Sequence, residues 1–556
     1  MPAGRISAFG LILCLFALPV AAAEDPPPPP AAEPAQPRQV DNAPLPAPAP
    51  AAAEPTPTAT ATGAIGFAQE FGERLAETSS LATADREDRA ALARFYLGRQ
   101  QEPVWVTATG LTPAAEATIA EIGRADDWGL DAKAFQLPAP GASTGSPRGE
   151  RADAEIALSL ATLKYARHAR GGRAEPTSLS RNLDRKLPLL DPGQVIDQAS
   201  KAPSPDAYLR SLHPQHPQFE ALRQQYLALK RGQPVALADP IRPEEGKKAG
   251  KKKATDVSEA PSVRRLLVNM EEWRWMPESL GDFYVWVNIP EFTLRLVKDG
   301  KIVHSERVIV GKRDTQTPVF SQDLEQVIFH PFWGVPESIK RNDIMPSLAR
   351  GSTRLLARYN LRVQRGGRDI DPESIDWASA DIRNFHVYQP PGGGNVLGVV
   401  KFRFPNKHDV YMHDTPGKNL FNAPVRTFSH GCMRVRDPQK LAELLLAEDQ
   451  AWPAARVAAA ISGGPQNNQV SVSRKIPVHI TYFTAMVDKA GETRLFPDIY
   501  GHEERIALGM EGKAHLVARL VKEDKPPSRA EPIGALSEAG TSKYGKKEWI
   551  RQVFDN

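Results

Sequence analysis

A helical N-terminal domain followed by a β-rich one, a multidomain α + β chain, is the architecture the sequence predicts, and three observations carry that prediction. Between about 65 and 230 apolar residues recur at helical spacing, and proline or a capping residue opens the runs. From 283 to 413 the apolar runs are short and rich in aromatic and β-branched residues, as strands are. Between the two, residues 231–261 carry Glu244-Glu245-Gly246-Lys247-Lys248 and Lys251-Lys252-Lys253 with no periodic apolar face, and read as a solvated linker. A length of 556 residues with 41% hydrophobic side chains suffices for more than one core. The net charge of +4 is too small to argue for nucleic acid as a partner.

In chain order, residues 1–23 read as a secretory leader: Arg5 supplies the basic start, Ala8 to Val20 the apolar stretch, and Ala21-Ala22-Ala23 a small-residue cleavage site. The apolar stretch is too short to span a bilayer comfortably, so membrane contact is expected only if the leader stays uncut. Cys14 follows Leu13, where a lipid-modified cysteine would follow a small residue. Once the leader is removed Cys432 is the sole thiol, and no internal disulfide can form. Residues 24–62 are proline and alanine with almost no large apolar side chain, an extended tether that at about 3.1 Å per residue reaches on the order of 100 Å.

The helical domain is expected over 63–230. Asp85 is the expected cap of a helix burying Leu92, Phe95 and Tyr96, and Thr112-Pro113 opens another with Ile119 and Ile122 inside. Ile156, Leu160, Leu163 and Ala166 keep the same period, and Ser204-Pro205 and His216-Pro217 start two more helices.

The β-rich domain is expected over 262–487. A short helix from Ser262 through Trp273 leads into strands at 283–289 and 292–297, a hairpin turn at Asp299-Gly300, and further strands at 302–310, 327–329, 399–404 and 410–413. Asp437-Pro438 opens a helix through Leu441, Leu444 and Leu445. Residues 337–397, rich in glycine and arginine, interrupt the strands with a segment whose length beside a site marks a lid or substrate-binding element. Residues 488–556 form a C-terminal extension in which Trp549 and Phe554 are candidates for docking on the body.

The chemistry concentrates in Ser429-His430-Gly431-Cys432-Met433-Arg434-Val435. A thiol is a good nucleophile only as thiolate, and neighbouring cations or a base promote that form. His430 and Arg434 are such neighbours, and a second imidazole stands upstream in Tyr411-Met412-His413-Asp414. His413 is the obvious base for Cys432, and it ends a strand, from which a side chain projects into a cleft on rigid support. A zinc site of His413, His430 and Cys432 is the rival reading, but His-x-Cys is not a usual zinc spacing and no fourth ligand stands out.

Ser429-His430-Gly431-Cys432 followed by Arg434, with Met412-His413-Asp414 upstream, resembles the catalytic signature of the L,D-transpeptidases of the bacterial envelope, whose catalytic domain is of the YkuD type. The resemblance implies a cysteine acyltransferase without cofactor or metal, acting as a monomer in the periplasm on peptidoglycan stem peptides as donor and acceptor. It implies Cys432 as nucleophile and His413 as general acid/base, with Ser429, His430, Gly431 and Arg434 supporting the loop and the oxyanion, and carbapenems as covalent inhibitors. Phe95-Tyr96, Pro103-Val104-Trp105, Gly110-Leu111-Thr112-Pro113 and Trp128-Gly129-Leu130-Asp131 are similar to the scaffold of the large YcbB-like members. In those members the stretch matching 337–397 is a capping subdomain over the cleft. The run Phe332 to Ile339 follows their pattern too, although His330 stands where an asparagine is common. Tyr411 and Trp333 are the candidate substrate contacts, with Trp333 favoured as a packing residue. The chain departs from larger relatives in having no room at 231–261 for a peptidoglycan-binding module. The readings from other classes are a zinc-dependent or thiol wall hydrolase (a carboxypeptidase) and a non-catalytic wall-binding protein.

Overall fold

The computed structural model describes residues 71–76, 83–100, 102–138, 148–238 and 262–517. The leader, the tether, most of the lysine-rich linker, Trp549 and Phe554 lie outside the described residues. No helix among the described residues is long and apolar enough to cross a membrane.

The N-terminal domain is built from α1 (Thr83–Gly98), α2 (Pro113–Gly123), α3 (Arg148–Gly171), the short α4 (Pro176–Leu179), α5 (Pro192–Lys201), α6 (Pro205–Ser211) and α7 (Pro217–Lys230). Proline opens five of these, α2 and α4 to α7, where its missing N–H costs nothing. Thr112 caps α2 by accepting from the Ala115 amide at 3.1 Å, and the His216 ring accepts from Gln218 at the start of α7. Asp85 is not the cap expected of it. The first helix starts at Thr83, and Asp85 lies within the first turn, where Arg167 of α3 pairs with it at 3.1 Å and with Asp88 at 2.5 Å. Leu92, Tyr96, Trp105, Ile122, Leu163 and Ile196 fill the core. Glu155, buried in that core, accepts the amides of Val104, Trp105 and Val106 and the Tyr96 hydroxyl, which gives the Phe95-Tyr96 and Pro103-Val104-Trp105 motifs their physical reason.

The C-terminal domain is a curled sheet. Its strands are β1 (Phe283–Asn288), β2 (Thr293–Lys298), β3 (Lys301–Gly311), β4 (Phe320–Asp323), β5 (Gln326–Phe329), β10 (Val400–Arg403), β11 (Met412–His413), β12 (Thr427–Ser429), β13 (Met433–Val435), β14 (Asn468–Ser471) and β15 (Pro477–Thr481). The order is β14-β5-β10-β11-β13-β3-β2-β1-β15-β4, with β12 beside β3. Asp299 and Gly300 both take positive φ, 48° and 71°, in the turn joining β2 and β3. The inner face carries Val285, Leu294, Phe402, Met412 and Met433 into the main core, which the helix at Pro438–Gln450 covers with Leu441 and Leu445. The insertion is a subdomain with its own core around Trp333, Val363, Trp377 and Val387, and its own sheet. That sheet runs β6 (Trp333–Gly334), β9 (His386–Gln389), β7 (Arg362–Arg365), β8 (Arg368–Ile370). The body continues beyond 487 with the hairpin of β16 (Ala485–Val487) and β17 (Thr493–Leu495) and a helix at His502–Met510.

The two domains share their cores. Ala174, Leu179 and Leu183 lie in the main core of the β domain, and Asp184 N–H donates to Val319 O beside β4 at 2.9 Å. The helix α8 (Val263–Arg274) packs Met270 and Trp273 against the scaffold side while Val268 joins the main core. Its Glu271 carboxylate, fully buried, accepts the Arg173 and Ala174 amides and so ties α8 to the end of the scaffold.

Candidate active site

Strand register brings the candidate residues onto one face. Lys401, His413 and Arg434 lie in one row across β10, β11 and β13. The next row, Phe402, Met412 and Met433, points into the core, so the first row points away from it. Two residues along, the same outer face carries Tyr411 and Cys432, whose neighbouring strands are tied by Met433 N–H donating to Tyr411 O at 3.0 Å. From a rise of about 3.3 Å per residue and a strand spacing of about 4.8 Å, the His413 and Cys432 backbones are roughly 8 Å apart, diagonal neighbours on one surface.

Each side chain has a defined setting. The Cys432 thiol, half-buried, accepts from the Tyr411 hydroxyl and the Tyr411 amide. Tyr411 lies between the sulfur and Trp333 of the inserted subdomain, and both neighbours act on its hydroxyl. Trp333 is thus both a packing residue, 4% exposed in the cap core, and part of the site. The Lys401 ammonium sits 3.9 Å from the centroid of the Tyr411 ring, a cation–π contact that holds a positive charge beside the thiol. Burial pushes the thiol up to about 11, against the pull of Tyr411 and Lys401. The expectation that neighbouring cations make a resting thiolate is therefore corrected: desolvation outweighs them.

His413 is buried, and its Nδ1–H donates to the Asp414 carbonyl, which leaves Nε2 with the free lone pair. Burial, and then the Arg434 charge, hold its pKa at about 3, so the imidazole is neutral. The resting pair is thiol and imidazole, with no ion pair between them. The Asp414 carboxylate accepts from Val399 N–H at 2.9 Å and from Lys418 at 2.5 Å, which fixes the carbonyl that orients the ring.

The loop before Cys432 is tied down by hydroxyls. Ser429 Oγ donates to the Cys432 carbonyl and accepts from Gly431 N–H at 3.2 Å. Thr317 Oγ1 donates to Gly431 O at 2.7 Å, and Thr315 Oγ1 to Ser429 O at 3.1 Å. Gly431 has φ +115°, a conformation closed to other residues, and a Cβ there would touch Val410. His430 is half-buried near Lys312 and held at about 4 by burial. Arg434 is 6% exposed with no carboxylate partner among the described residues, and its buried Nε finds no acceptor. Asp343, on a π-helical turn of the cap at Lys340–Ile344, faces Lys312 and is pushed up to about 6 by burial. Among the described residues no three His, Cys, Asp or Glu side chains gather to hold a metal, so the zinc reading of His413, His430 and Cys432 finds no cluster.

Sequence reasoning missed Lys401, Lys312, Thr315, Thr317 and Asp343. Lys401 left a signal, a lone lysine inside the apolar run Val399-Val400-Lys401-Phe402. The others gain meaning only from the fold.

Residues 282–465 match the L,D-transpeptidase catalytic domain YkuD, and residues 90–225 match the Scaffold domain. A curated Haemophilus influenzae protein, itself an L,D-transpeptidase by inference, is 31% identical over 253 residues, 45% of this chain and 50% of that relative. The chain thus matches about half the length of that relative. Among solved structures, an L,D-transpeptidase from Mycobacterium smegmatis is similar at 14% identity and a TM-score of 0.17, covering 36% of this chain and 58% of its own. One from Enterococcus faecium has 14% identity and a TM-score of 0.14, covering 36% and 50%. Another, solved in complex with imipenem, has 14% identity and a TM-score of 0.17, covering 36% and 59%.

Proposed function

Since residues 282–465 are an L,D-transpeptidase catalytic domain of the YkuD family, we propose that the protein crosslinks peptidoglycan stems through a thioester on Cys432. The donor is a tetrapeptide stem whose third residue, a diamino acid, is joined through its L centre to a terminal D-alanine. Cys432 Sγ attacks that carbonyl while His413 Nε2 takes the thiol proton. The C–N bond breaks, the same proton goes to the leaving D-alanine amine, and a thioester remains. The side-chain amine of a second stem then attacks, the C–S bond breaks, and His413 returns a proton to the sulfur. The product is an amide between two third-position diamino acids.

The observation that supports this reading is the shared face of Cys432 and His413, with the imidazole held in the tautomer whose Nε2 is free. Gly431 N–H is already given to Ser429, so we assign the developing oxyanion to the Cys432 amide, a donor worth about 3 kcal/mol in other enzymes. Arg434, buried without a carboxylate partner among the described residues, is the expected partner for a stem carboxylate. Because the resting thiol is neutral, substrate has to reach it under a cap that excludes water, where proton transfer to Nε2 and bond formation are concerted. The leader-like sequence of residues 1–23 supports a periplasmic site for this work as part of the same proposal.

Intact-mass analysis after meropenem treatment tests it. One covalent adduct is expected on the wild type and none on Cys432→Ala, and His413→Ala should acylate at least 100-fold more slowly. Unmodified wild-type protein overturns the reading. Absence of crosslinking by the wild type, with wall binding that persists in Cys432→Ala, would turn the assignment toward a non-catalytic wall-binding protein. Release of D-alanine with only tripeptide formed would mark a carboxypeptidase.

A further inference from the structure

The matched catalytic domain ends at 465, yet two side chains outside it reach the loop that braces the nucleophile. That loop, Gly311 to Thr317, follows β3 and lies against the Gly431 turn: a Cβ on Gly431 would stand 3.5 Å from Gln316 O and 4.0 Å from Thr315 O. Its two ends are clasped together. Gly311 N–H donates to Thr317 Oγ1 at 2.9 Å, the Tyr500 hydroxyl donates to Gly311 O at 2.6 Å, and Thr317 N–H donates back to the Tyr500 oxygen at 3.2 Å. Tyr500 is fully buried, and burial holds its hydroxyl well above the ordinary tyrosine value, so it keeps the proton it donates. Tyr482 holds it in turn, taking the Tyr500 amide at 2.6 Å and donating to Asp498 at 2.8 Å. From the scaffold, Asn182 Nδ2 donates to Gln316 Oε1 at 3.0 Å.

We propose that Tyr500 is a positioning residue for the oxyanion donor of the acylation step, acting through Thr317, an inference that rests on the function proposed above. The link is the peptide unit between Gly431 and Cys432. It is trans and planar, so its C=O and N–H point to opposite sides and cannot turn independently. Thr317 Oγ1 donates to Gly431 O at 2.7 Å and thereby fixes the direction of Cys432 N–H, the group assigned to the developing oxyanion. Ser429 Oγ holds the flanking groups, Gly431 N–H and Cys432 O. Three of the four backbone polar groups of these two residues are thus held by hydroxyls, and the fourth is the oxyanion donor.

Thr317 can do this only where the clasp puts it. Gly311 N–H occupies one lone pair of its hydroxyl oxygen, which directs the hydroxyl proton to Gly431 O. The loop closes tightly, since a Cβ on Gly311 would lie 2.1 Å from Thr315 O. Without the Tyr500 hydroxyl, Gly311 O loses this donor and Thr317 N–H this acceptor, both inside the fold, and the loop has to shift to replace them. A displacement of about 1 Å in a group aimed at a reacting atom can cost about 100-fold in rate, so a small movement of Thr317 reaches the chemistry. The effect falls on carbonyl attack alone. Alkylation of the same sulfur builds no oxyanion and depends on the thiolate.

The test is acylation of the full chain by meropenem, followed by intact mass over a range of concentrations, which separates the limiting rate from the half-saturating concentration. Tyr500→Phe and Thr317→Val should each lower the limiting rate about tenfold and leave the half-saturating concentration within about twofold of wild type. Because both act through one chain of bonds, the double variant should be no slower than the slower single one, whereas independent roles would multiply to about 100-fold. Thr317→Ser, which keeps the hydroxyl, should stay within about threefold of wild type. Iodoacetamide should alkylate Cys432 in Tyr500→Phe as fast as in the wild type at each pH. Tyr96→Phe, which removes a buried hydroxyl from the scaffold core, should acylate at the wild-type rate. Should the variants at 500 and 317 fail to fold, Asn182→Ala, at a half-buried site, should slow acylation about threefold with alkylation unchanged. Unchanged acylation in the folded variants, losses that multiply, alkylation slowed in step with acylation, or an equal loss in Tyr96→Phe overturns the positioning role and leaves the transpeptidase reading standing. A wild type that iodoacetamide alkylates and meropenem leaves unmodified overturns that reading, and this role with it.

Discussion

The sulfur of Cys432 is pulled in opposite directions by its neighbours, and each pull has its own test. Burial disfavours thiolate, while the Tyr411 hydroxyl and the Lys401 ammonium favour it. Tyr411→Phe and Lys401→Met should therefore each move the pH midpoint of iodoacetamide alkylation upward from about 11, slowing alkylation several-fold at pH 9, where one unit is tenfold in thiolate. A midpoint that stays put would show the two groups to be mere packing. Imidazole behaviour follows in the same way. With His413 neutral down to about 3, the acid limb of kcat/KM should lie well below the ordinary histidine value, as a pH–rate profile would reveal. Cys432 and His413 were readable in the sequence because two short motifs carry them. Lys401 left only the signal of a lone lysine in an apolar run, because the register of β10 against β11 is what puts it beside them. The neutral state of the pair was not readable, since it depends on how deeply the fold buries both groups.

Elements were most readable where their ends carry local chemistry. Thr112-Pro113, Ser262 and Asp437-Pro438 cap helices because a side-chain oxygen accepts the amide three residues on. Asp437→Ala should cost about 1 kcal/mol in denaturant unfolding. The failure at Asp85 has the same origin, since a carboxylate with an arginine from another helix in reach follows the arginine. His330 takes φ +48°, a left-handed conformation that asparagine adopts with little strain, which accounts for the departure noted at that position. Gly398 marks where the cap rejoins the sheet: its φ is +57°, and a Cβ there would lie 2.1 Å from the Asp414 carboxylate. Gly398→Ala should push that carboxylate off Val399 and loosen His413, lowering kcat at least tenfold and stability by roughly 1–3 kcal/mol. Full activity would show that the Asp414 contact does not set the imidazole.

Across the whole molecule, buried ionisable groups set the pH range of stability. Burial holds His168, His413 and His502 at about 3 and His216 and His479 at about 4, below the ordinary 6.5. The unfolded chain takes up protons below 6.5 that the folded chain refuses, so stability falls as pH drops from 6.5 toward 3. Glu271 and Glu272 shift the other way, raised by burial, so the folded chain keeps protons that the unfolded chain loses from about 4.5 upward. Stability falls again as pH rises through that interval, and Glu272→Gln should raise the melting temperature more at pH 8 than at pH 5. An equal rise at both would contradict the assignment. None of this was visible beforehand, because helical periodicity marks Glu271, Glu272 and Arg274 as ordinary surface charges, whereas the second half of α8, from Val268 to Arg274, is buried all round between the two domains. The insertion of Leu179, Leu183 and Arg185 into the β domain has a practical corollary for anyone cutting the gene at the lysine-rich linker. Arg185 donates to Ser321 and to the Ile480 carbonyl, and Asn182 O takes the Val319 amide. A fragment starting at 262 would lose this cover from β4, the last strand in the sheet order, and leave its backbone open to pairing with another copy. Such a fragment should precipitate, and adding residues 174–187 as a peptide should return it to solution.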